Sequence, residues 1–412
     1  MAFARIVNKR RILGVCLATA LALTGCAPSS DSSETLRSAS DGAFEKLADA
    51  TSEEGSSEAD SQASSETTED KIADAVSQNI SDVISEDLSQ KSGSDSASET
   101  SSQQASSASE GEKPETLFTF NPHPHTVLLS ELATEEMWAD LYRMIDAVRA
   151  GEDTFICTSE ESYNWCAECN ALANFLPASC ETVEGAGYED GVGKIHYKIG
   201  KEAFLERESA FEEEVVRILN EAADPEDSDF EKLLGIYAYV CEHFSYDYSP
   251  IDGNGPDEFG NYACLMTKQG ICCEVAGVMT YLLLQVGVEA TEFGGDGSAG
   301  YHDWNYVEIG GEGYFVDATW ALHGDGRDSE LTLLYFMETE EERIADGFDQ
   351  DKFEVDMLWP FKSDYDIGRF RADDRTFAPL HNFAYYEGID KDRNILRYRI
   401  GDEHYELEYG AL

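Results

Sequence analysis

Between Lys268 and Trp320 the hydrophobic period changes from helical to strand-like, and a thiol, an imidazole and a carboxylate fall on successive elements. After Gly270 the apolar positions Val275, Val278, Met279, Leu282, Leu283 and Val286 recur at three- and four-residue steps, which predicts a buried helix closed by Gly287. Cys272 then sits in its first turn, where unpaired backbone N–H groups and the helix dipole favour a thiolate. Tyr301 to Glu308 and Gly313 to Ala318 read as two strands joined across Gly310-Gly311, a hairpin signal. Counted outward from that turn, His302 and Asp317 share a face, opposite each other or one diagonal step apart. Asp303 is excluded as the partner of His302, because successive strand side chains point to opposite faces. A carboxylate that holds an imidazole, which in turn deprotonates a thiol, is the logic of a nucleophilic triad.

The three blocks, Gly-Ile-Cys-x-x-x-Ala, His-x-Trp-Asn-x-Val and Tyr-Phe-Val-Asp-x-Thr-Trp, stand in the order that resembles the transglutaminase-like superfamily, whose members share the papain-type cysteine protease core. The resemblance spans roughly residues 228 to 325, with the Leu233 to Tyr248 helix and Tyr262-Ala263-Cys264-Leu265 as its lead-in. It implies an α+β fold: a nucleophile helix packed on an antiparallel sheet, with Cys272 as nucleophile, His302 as general base and acid, and Asp317 orienting the imidazole. Cys273 competes with Cys272, but neighbours on a helix point about 100° apart, so only one can face the His302 strand. The Gly two before and the Ala four after select Cys272. Glu274 and Val275 depart from the Gly-Tyr or Asp-Phe that the family often carries there, which bears on substrate preference. A second oxyanion donor is needed beside the Cys272 N–H, and Gln269 and Tyr262 both remain open. No cofactor is expected and no metal site is assigned. Some transglutaminases need calcium, but Asp390-Lys391-Asp392-Arg393-Asn394 lacks Gly at its sixth place and Glu at its twelfth, and reads as a turn between strands.

Upstream, residues 1–26 carry Arg5, Lys9, Arg10 and Arg11, then an apolar run from Ile12 to Leu23 that is too short to span a bilayer. This is a signal peptide, and its end, Leu-Thr-Gly-Cys, resembles the bacterial lipoprotein box, which makes Cys26 the lipidated first residue of the mature chain. Residues 27–113 hold 20 acidic and 5 basic residues among Ser, Ala and Thr, with Phe44 as the one aromatic. Such a linker cannot bury enough apolar surface to offset its ordering entropy, and as a coil it would reach roughly 50 Å. Ile72, Val76, Ile80, Val83 and Leu88 lie near helical spacing, a marginal helix within it. Most of the net charge of −54 remains on residues 114–412, which argues against nucleic acid and anionic lipid surfaces as partners.

The rest divides into an α+β extension over 114–227, the catalytic core over 228–372 and a β-rich segment over 373–412. The extension reads as a helix over 132–149, a strand from Thr154 to Cys157, a capping-box helix from Thr158-Ser-Glu-Glu161 to Phe175, a strand from Gly193 to Ile199 and a helix from Lys201 to Ala223. Cys157, Cys166, Cys169 and Cys180 suit structural disulfides or buried thiols better than zinc, and Cys241 and Cys264 read as core. His123 and His125 lack a third ligand nearby. The expectation is a lipid-anchored enzyme on the outer face of the cell membrane that acts on peptide or protein substrates of the envelope, hydrolysing more than cross-linking, of unassigned oligomeric state. A non-catalytic module on the same core and a structural envelope lipoprotein are the alternatives.

Overall fold

The computed structural model describes residues 117–410, except 169–170, 250–258, 299, 324–329 and 358–364. Cys26, the signal region, the linker with its 72–88 helical spacing and Cys169 lie outside the described residues.

The extension is built from short, well-capped pieces. The Thr134 hydroxyl accepts from the Met137 N–H and starts α1 (Glu135–Arg149), whose Leu141, Met144, Ile145 and Val148 stripe is buried. Strand β1 (Thr154–Ile156) follows. The single helix expected up to Phe175 is two, α2 (Glu160–Glu168) and α3 (Ala171–Phe175). Its cap is Ser159 and not Thr158: the Ser159 hydroxyl accepts from the Ser162 N–H at 3.1 Å, while the Thr158 N–H is committed to Asp140. Strands β2 (Val183–Glu189) and β3 (Val192–Tyr197) form a hairpin through Asp190-Gly191, both at positive φ, and the sheet order is β1-β3-β2. β2 escapes the sequence pattern because a bulge between Gly185 and Gly187 breaks its alternation. Helix α4 (Lys201–Ala222) leads into α5 (Asp229–His243), which opens with a reciprocal capping box between Ser228 and Glu231.

The centre of the molecule begins with β4 (Ser245–Tyr246), α6 (Asn261–Thr267), β5 (Gln269–Gly270) and α7 (Cys272–Gln285). Every residue of α7 except Cys273 is buried, as expected of a helix that is apolar nearly all round. Gly287 ends it at φ +81°, a left-handed conformation that a side chain would strain. Next come β6 (Glu289–Gly297), β7 (Gly300–Ile309), β8 (Glu312–Val316), α8 (Glu340–Ala345) and β9 (Glu354–Val355). They form an antiparallel sheet in the order β8-β7-β6-β9, with α7 against it: the Asn305 side-chain amide of β7 donates to the Ala276 carbonyl and the Thr280 hydroxyl, each at 2.8 Å. This is the expected α+β arrangement of a nucleophile helix on an antiparallel sheet. The β7–β8 turn is Gly310-Gly311 at φ +64° and +87°, flanked by the pair Ile309 and Glu312, a type I′ geometry.

The C-terminal strands β10 (Tyr385–Asp390), β11 (Ile395–Ile400) and β12 (Glu403–Glu408) form an antiparallel meander, and residues 391–394 are the turn between the first two. One hydrophobic core runs from Leu128 to Tyr409. It joins the meander to α5, where Phe230 stacks on Phe377 and Tyr409 with ring centroids 5.1 and 4.5 Å apart. Among the described residues no helix is long and apolar enough to cross a membrane.

Candidate active site

The first turn of α7 is anchored by an acid in place of a cap. Ile271 at the N-cap offers no hydrogen-bonding side chain, so the Glu274 carboxylate accepts from the Ile271 N–H at 3.0 Å and from the Gly260 N–H at 2.7 Å. Burial raises the Glu274 carboxyl above its ordinary range, against those two bonds. The Gly of the Gly-Ile-Cys block is steric: a Cβ on Gly270 would lie 2.6 Å from Cys264 Sγ and 3.0 Å from Glu274 Oε2. Glu274 therefore holds the Cys272 turn to Gly260, which its place in the sequence did not disclose.

Across the sheet, β7 and β8 run in the register Asn305 to Val316, which sets Asp317 one diagonal step from His302 on the same face. His302 Nε2 and Asp317 Oδ2 are 2.7 Å apart and both residues are buried. The other carboxylate oxygen accepts from the Trp320 N–H at 3.1 Å, and Arg343 Nη2 donates to Oδ2 at 3.1 Å. Burial alone would raise the Asp317 carboxyl, but the His302 charge and hydrogen bond, the Arg343 guanidinium and the Trp320 N–H together hold it below its ordinary range. Trp320 stacks on the imidazole with centroids 5.0 Å apart and planes 17° apart. The Nδ1 of His302 is buried and makes no hydrogen bond.

Cys272, the first residue of α7, is fully buried. Its Sγ donates to Asp303 Oδ2 at 3.7 Å. The structure thus brings His302 to Asp317 and brings Asp303, from the opposite face of β7, to the sulfur. The sequence pattern, which excluded Asp303 as the partner of the imidazole, gave no sign of that second placement. Cys273 is partly exposed, and desolvation followed by the charges of Asp303, Glu274 and Glu292 pushes its thiol well above the ordinary range.

Asp303 also belongs to a carboxylate group that sequence spacing could not reveal. Oxygens of Glu292 on β6, Asp303 on β7 and Asp356 after β9 lie within 4.8 Å of one another, hard donors of the kind that suit Ca²⁺ or Mg²⁺. They come together only through the sheet. Of the other candidates, His123 bonds Asp146 at 2.8 Å and His125 bonds Tyr142 at 2.9 Å, so both serve the α1 face. Tyr262 lies under the Arg207 guanidinium and Gln269 is exposed on β5. Cys157, Cys166, Cys241 and Cys264 are buried free thiols, and burial then Asp140 push Cys157 up to about 11.

A thiol in the first turn of a helix, and an imidazole–carboxylate pair on the hairpin that follows it, are the marks of one known core. Residues 216–320 match the transglutaminase-like superfamily. That segment is about a quarter of the chain and contains Cys272, His302 and Asp317. Similar proteins include the mouse Kyphoscoliosis peptidase, 28% identical over 121 residues that are 26% of this chain and 18% of the relative. The human Kyphoscoliosis peptidase is 27% identical over 140 residues, 31% of this chain and 21% of the relative. The chain thus spans about a fifth of the length of the curated relatives it matches. Among solved structures, a proposed cysteine protease from Cytophaga hutchinsonii aligns at 16% identity and TM-score 0.22 over 29% of this chain and 39% of its own. A TGase aligns at 16% identity and TM-score 0.25 over 34% and 45%.

Proposed function

We propose that this protein is a thiol enzyme acting on amide or peptide bonds, with Cys272 as nucleophile, His302 as base and acid, and Asp317 as the group that orients the imidazole. The observation that carries this reading is the buried His302–Asp317 pair at 2.7 Å, which occupies Nε2 and leaves Nδ1 available for proton transfer. In the first step the Cys272 sulfur, its proton taken by His302, attacks the carbonyl carbon. The C–N bond breaks, the departing nitrogen takes the proton back from His302, and a thioester remains. Water then gives a proton to His302 and attacks the thioester; the acid leaves and the thiol is restored. The name of the similar peptidases favours water as the acceptor over an amine. The N-terminal sequence supports anchoring through lipid on Cys26, outside the cell, with envelope peptides or proteins as substrates.

Limiting iodoacetamide followed by peptide mass spectrometry tests the assignment: Cys272 is expected to react before Cys273, and His302→Ala to slow it. Equal labelling, or indifference to His302, would count against it. A peptide library with a labelled primary amine separates hydrolysis from transamidation. The bond from the Cys272 thiol to Asp303 favours a second reading, a module that keeps the core without turnover. It predicts an alkylatable Cys272, no thioester with any library member, and triad variants that behave as wild type. For the anchor, Cys26→Ser is expected to abolish fatty-acid labelling.

A further inference from the structure

The proposed reaction asks more of Cys272 than a thiol, because its backbone N–H is one of the donors for the oxyanion that forms when sulfur adds to a carbonyl. The direction of that N–H is set by its neighbour. The Ile271 carbonyl accepts from the Val275 N–H at 2.9 Å, and in a planar trans peptide the Cys272 N–H points opposite to that carbonyl, out of the start of α7. On the other side of the Ile271 Cα, its own N–H is held by Glu274 Oε2 at 3.0 Å. Two bonds, one on each side of that Cα, thus fix the residue that aims the Cys272 N–H.

Glu274 also ties this residue outward. Its Oε1 accepts from the Gly260 N–H at 2.7 Å, and Gly260 is the N-cap of α6, whose start, like that of α7, has no capping side chain of its own. One buried carboxylate therefore serves two helix starts, an oxygen to each. The packing of α6 on α7 leaves little room for the clamp to shift: a Cβ on Gly277 would lie 2.4 Å from Asn261 Oδ1, and Gly270 is closed in by Cys264. From the segment after β4, the Asp247 N–H donates to the Gly270 carbonyl at 2.9 Å.

We propose that Glu274 is a positioning residue for the reaction: by holding the Gly260 and Ile271 N–H groups at once, it fixes the direction in which Cys272 presents its backbone N–H and its sulfur to a carbonyl carbon. This rests on the reading of Cys272 as the nucleophile. Both carboxylate oxygens face donors, so similar shape or similar charge alone does not replace them. Gln would set its NH₂ against one of the two N–H groups, and Asp falls a methylene short of holding both.

The test compares two additions to Cys272 in the full chain. With a peptide aldehyde, built on a sequence that the library shows to be cleaved, the S–H adds across the C=O, sulfur to carbon and proton to oxygen, and that oxygen sits where the oxyanion would form. Iodoacetamide alkylates the sulfur with no such oxygen. Glu274→Gln and Glu274→Asp are each expected to weaken aldehyde binding by about 10²-fold, the loss that about 1 Å of misplacement brings, while the iodoacetamide rate does not fall. Asp keeps the charge, so an effect of charge on the thiol would spare that variant. Asp247→Asn removes a carboxylate that faces Glu274 but neither bond, and is expected to leave aldehyde binding unchanged. Either Glu274 variant that folds carries the test: wild-type aldehyde binding in it, or an equal loss in Asp247→Asn, would overturn the proposal. Should no peptide be cleaved and no aldehyde bind the wild-type chain, the proposed enzyme falls, and amide hydrogen exchange reads the clamp by itself. Gly260 and Ile271 amides that exchange faster in the Glu274 variants, with the rest of α7 unmoved, uphold the hold on Ile271; amides that do not overturn it.

Discussion

The two faces of β7 carry different chemistry. One bears His302 and Trp304, closed over by Asp317, Arg343, Trp320 and Phe348 into an aromatic-walled box in which an imidazole, a carboxylate and a guanidinium meet. The other bears Asp303 and Asn305, which face α7: Asn305 bonds Ala276 and Thr280 inside the helix, and Asp303 bonds Cys272 at its start. Strand alternation therefore sets the imidazole and the carboxylate that bonds the Cys272 thiol on opposite sides of a single element. The His302 face sets a guanidinium among its carboxyl groups, whereas the Asp303 face gathers carboxylates from Glu292, Asp303 and Asp356 beside a thiol. The proposed reaction requires the two sides to meet at the beginning of the strand, around His302 and Asp303.

The largest effect should come from removing the His302 face. His302→Ala is expected to lower turnover of a cleaved peptide by about 10²- to 10⁴-fold, the usual worth of a positioned general acid and base. Cys273→Ala should stay within a few-fold of wild type. Steady-state rates on the first peptide found by library screening check both. A His302→Ala protein as active as wild type would mean that the proton passes through the other face.

Breaking the Asp303 bond sharpens the comparison from that other side. A sulfur that donates to a carboxylate keeps its proton until the bond is broken, and a negative charge nearby disfavours thiolate. Asp303→Asn should therefore quicken Cys272 alkylation at neutral pH by about tenfold. A fall in rate would show instead that Asp303 draws the proton off the sulfur. The same variant removes one of three carboxylates from the Glu292–Asp303–Asp356 group, so any response of thermal stability to added Ca²⁺ should weaken with it.

How far all this was legible in the sequence follows the kind of signal. The α7 helix, the Gly310-Gly311 hairpin and the His302–Asp317 diagonal are local periodicities, and each is present as expected. The Thr158 cap failed because Asp140, from another helix, claims that residue, and a capping box cannot anticipate a tertiary competitor. β2 was invisible because its glycines and bulge erase the alternation. Arg343, Asp303 and Glu274 were missed for one shared reason. Their roles come from which side chain the sheet or the helix start brings beside them, and no spacing along the chain encodes that. The family match adds little here, since it covers residues 216–320 and leaves α8, where Arg343 sits, outside.

A stability measurement reads the join between the faces. Asn305 is buried and gives both amide protons to α7, so Asn305→Ala leaves the Thr280 hydroxyl and the Ala276 carbonyl without that donor. The expected loss is about 1–3 kcal/mol in urea denaturation. A variant as stable as wild type would show that the helix keeps its place on the strand without these two bonds.

The smallest effect is a pH dependence, and its sign differs between regions. Asp317 is held below the ordinary carboxylate range, so its stabilising contribution is present above the unfolded value and is lost as pH falls through the folded one. Glu208, which joins α4 to Arg149 of α1 at 2.7 Å, behaves in the opposite way: burial outweighs Arg149 and raises it from 4.5 to about 7. The folded chain there binds a proton that the unfolded chain releases, so this contribution is present below pH 4.5 and is lost as pH rises toward about 7. Between those values the α1–α4 contact should weaken, on the order of 1 kcal/mol. Urea midpoints of wild type and Glu208→Gln from pH 4.5 to 7 check this: the wild type should lose stability relative to the variant across that window. Parallel curves would mean that Arg149 keeps Glu208 ionised throughout.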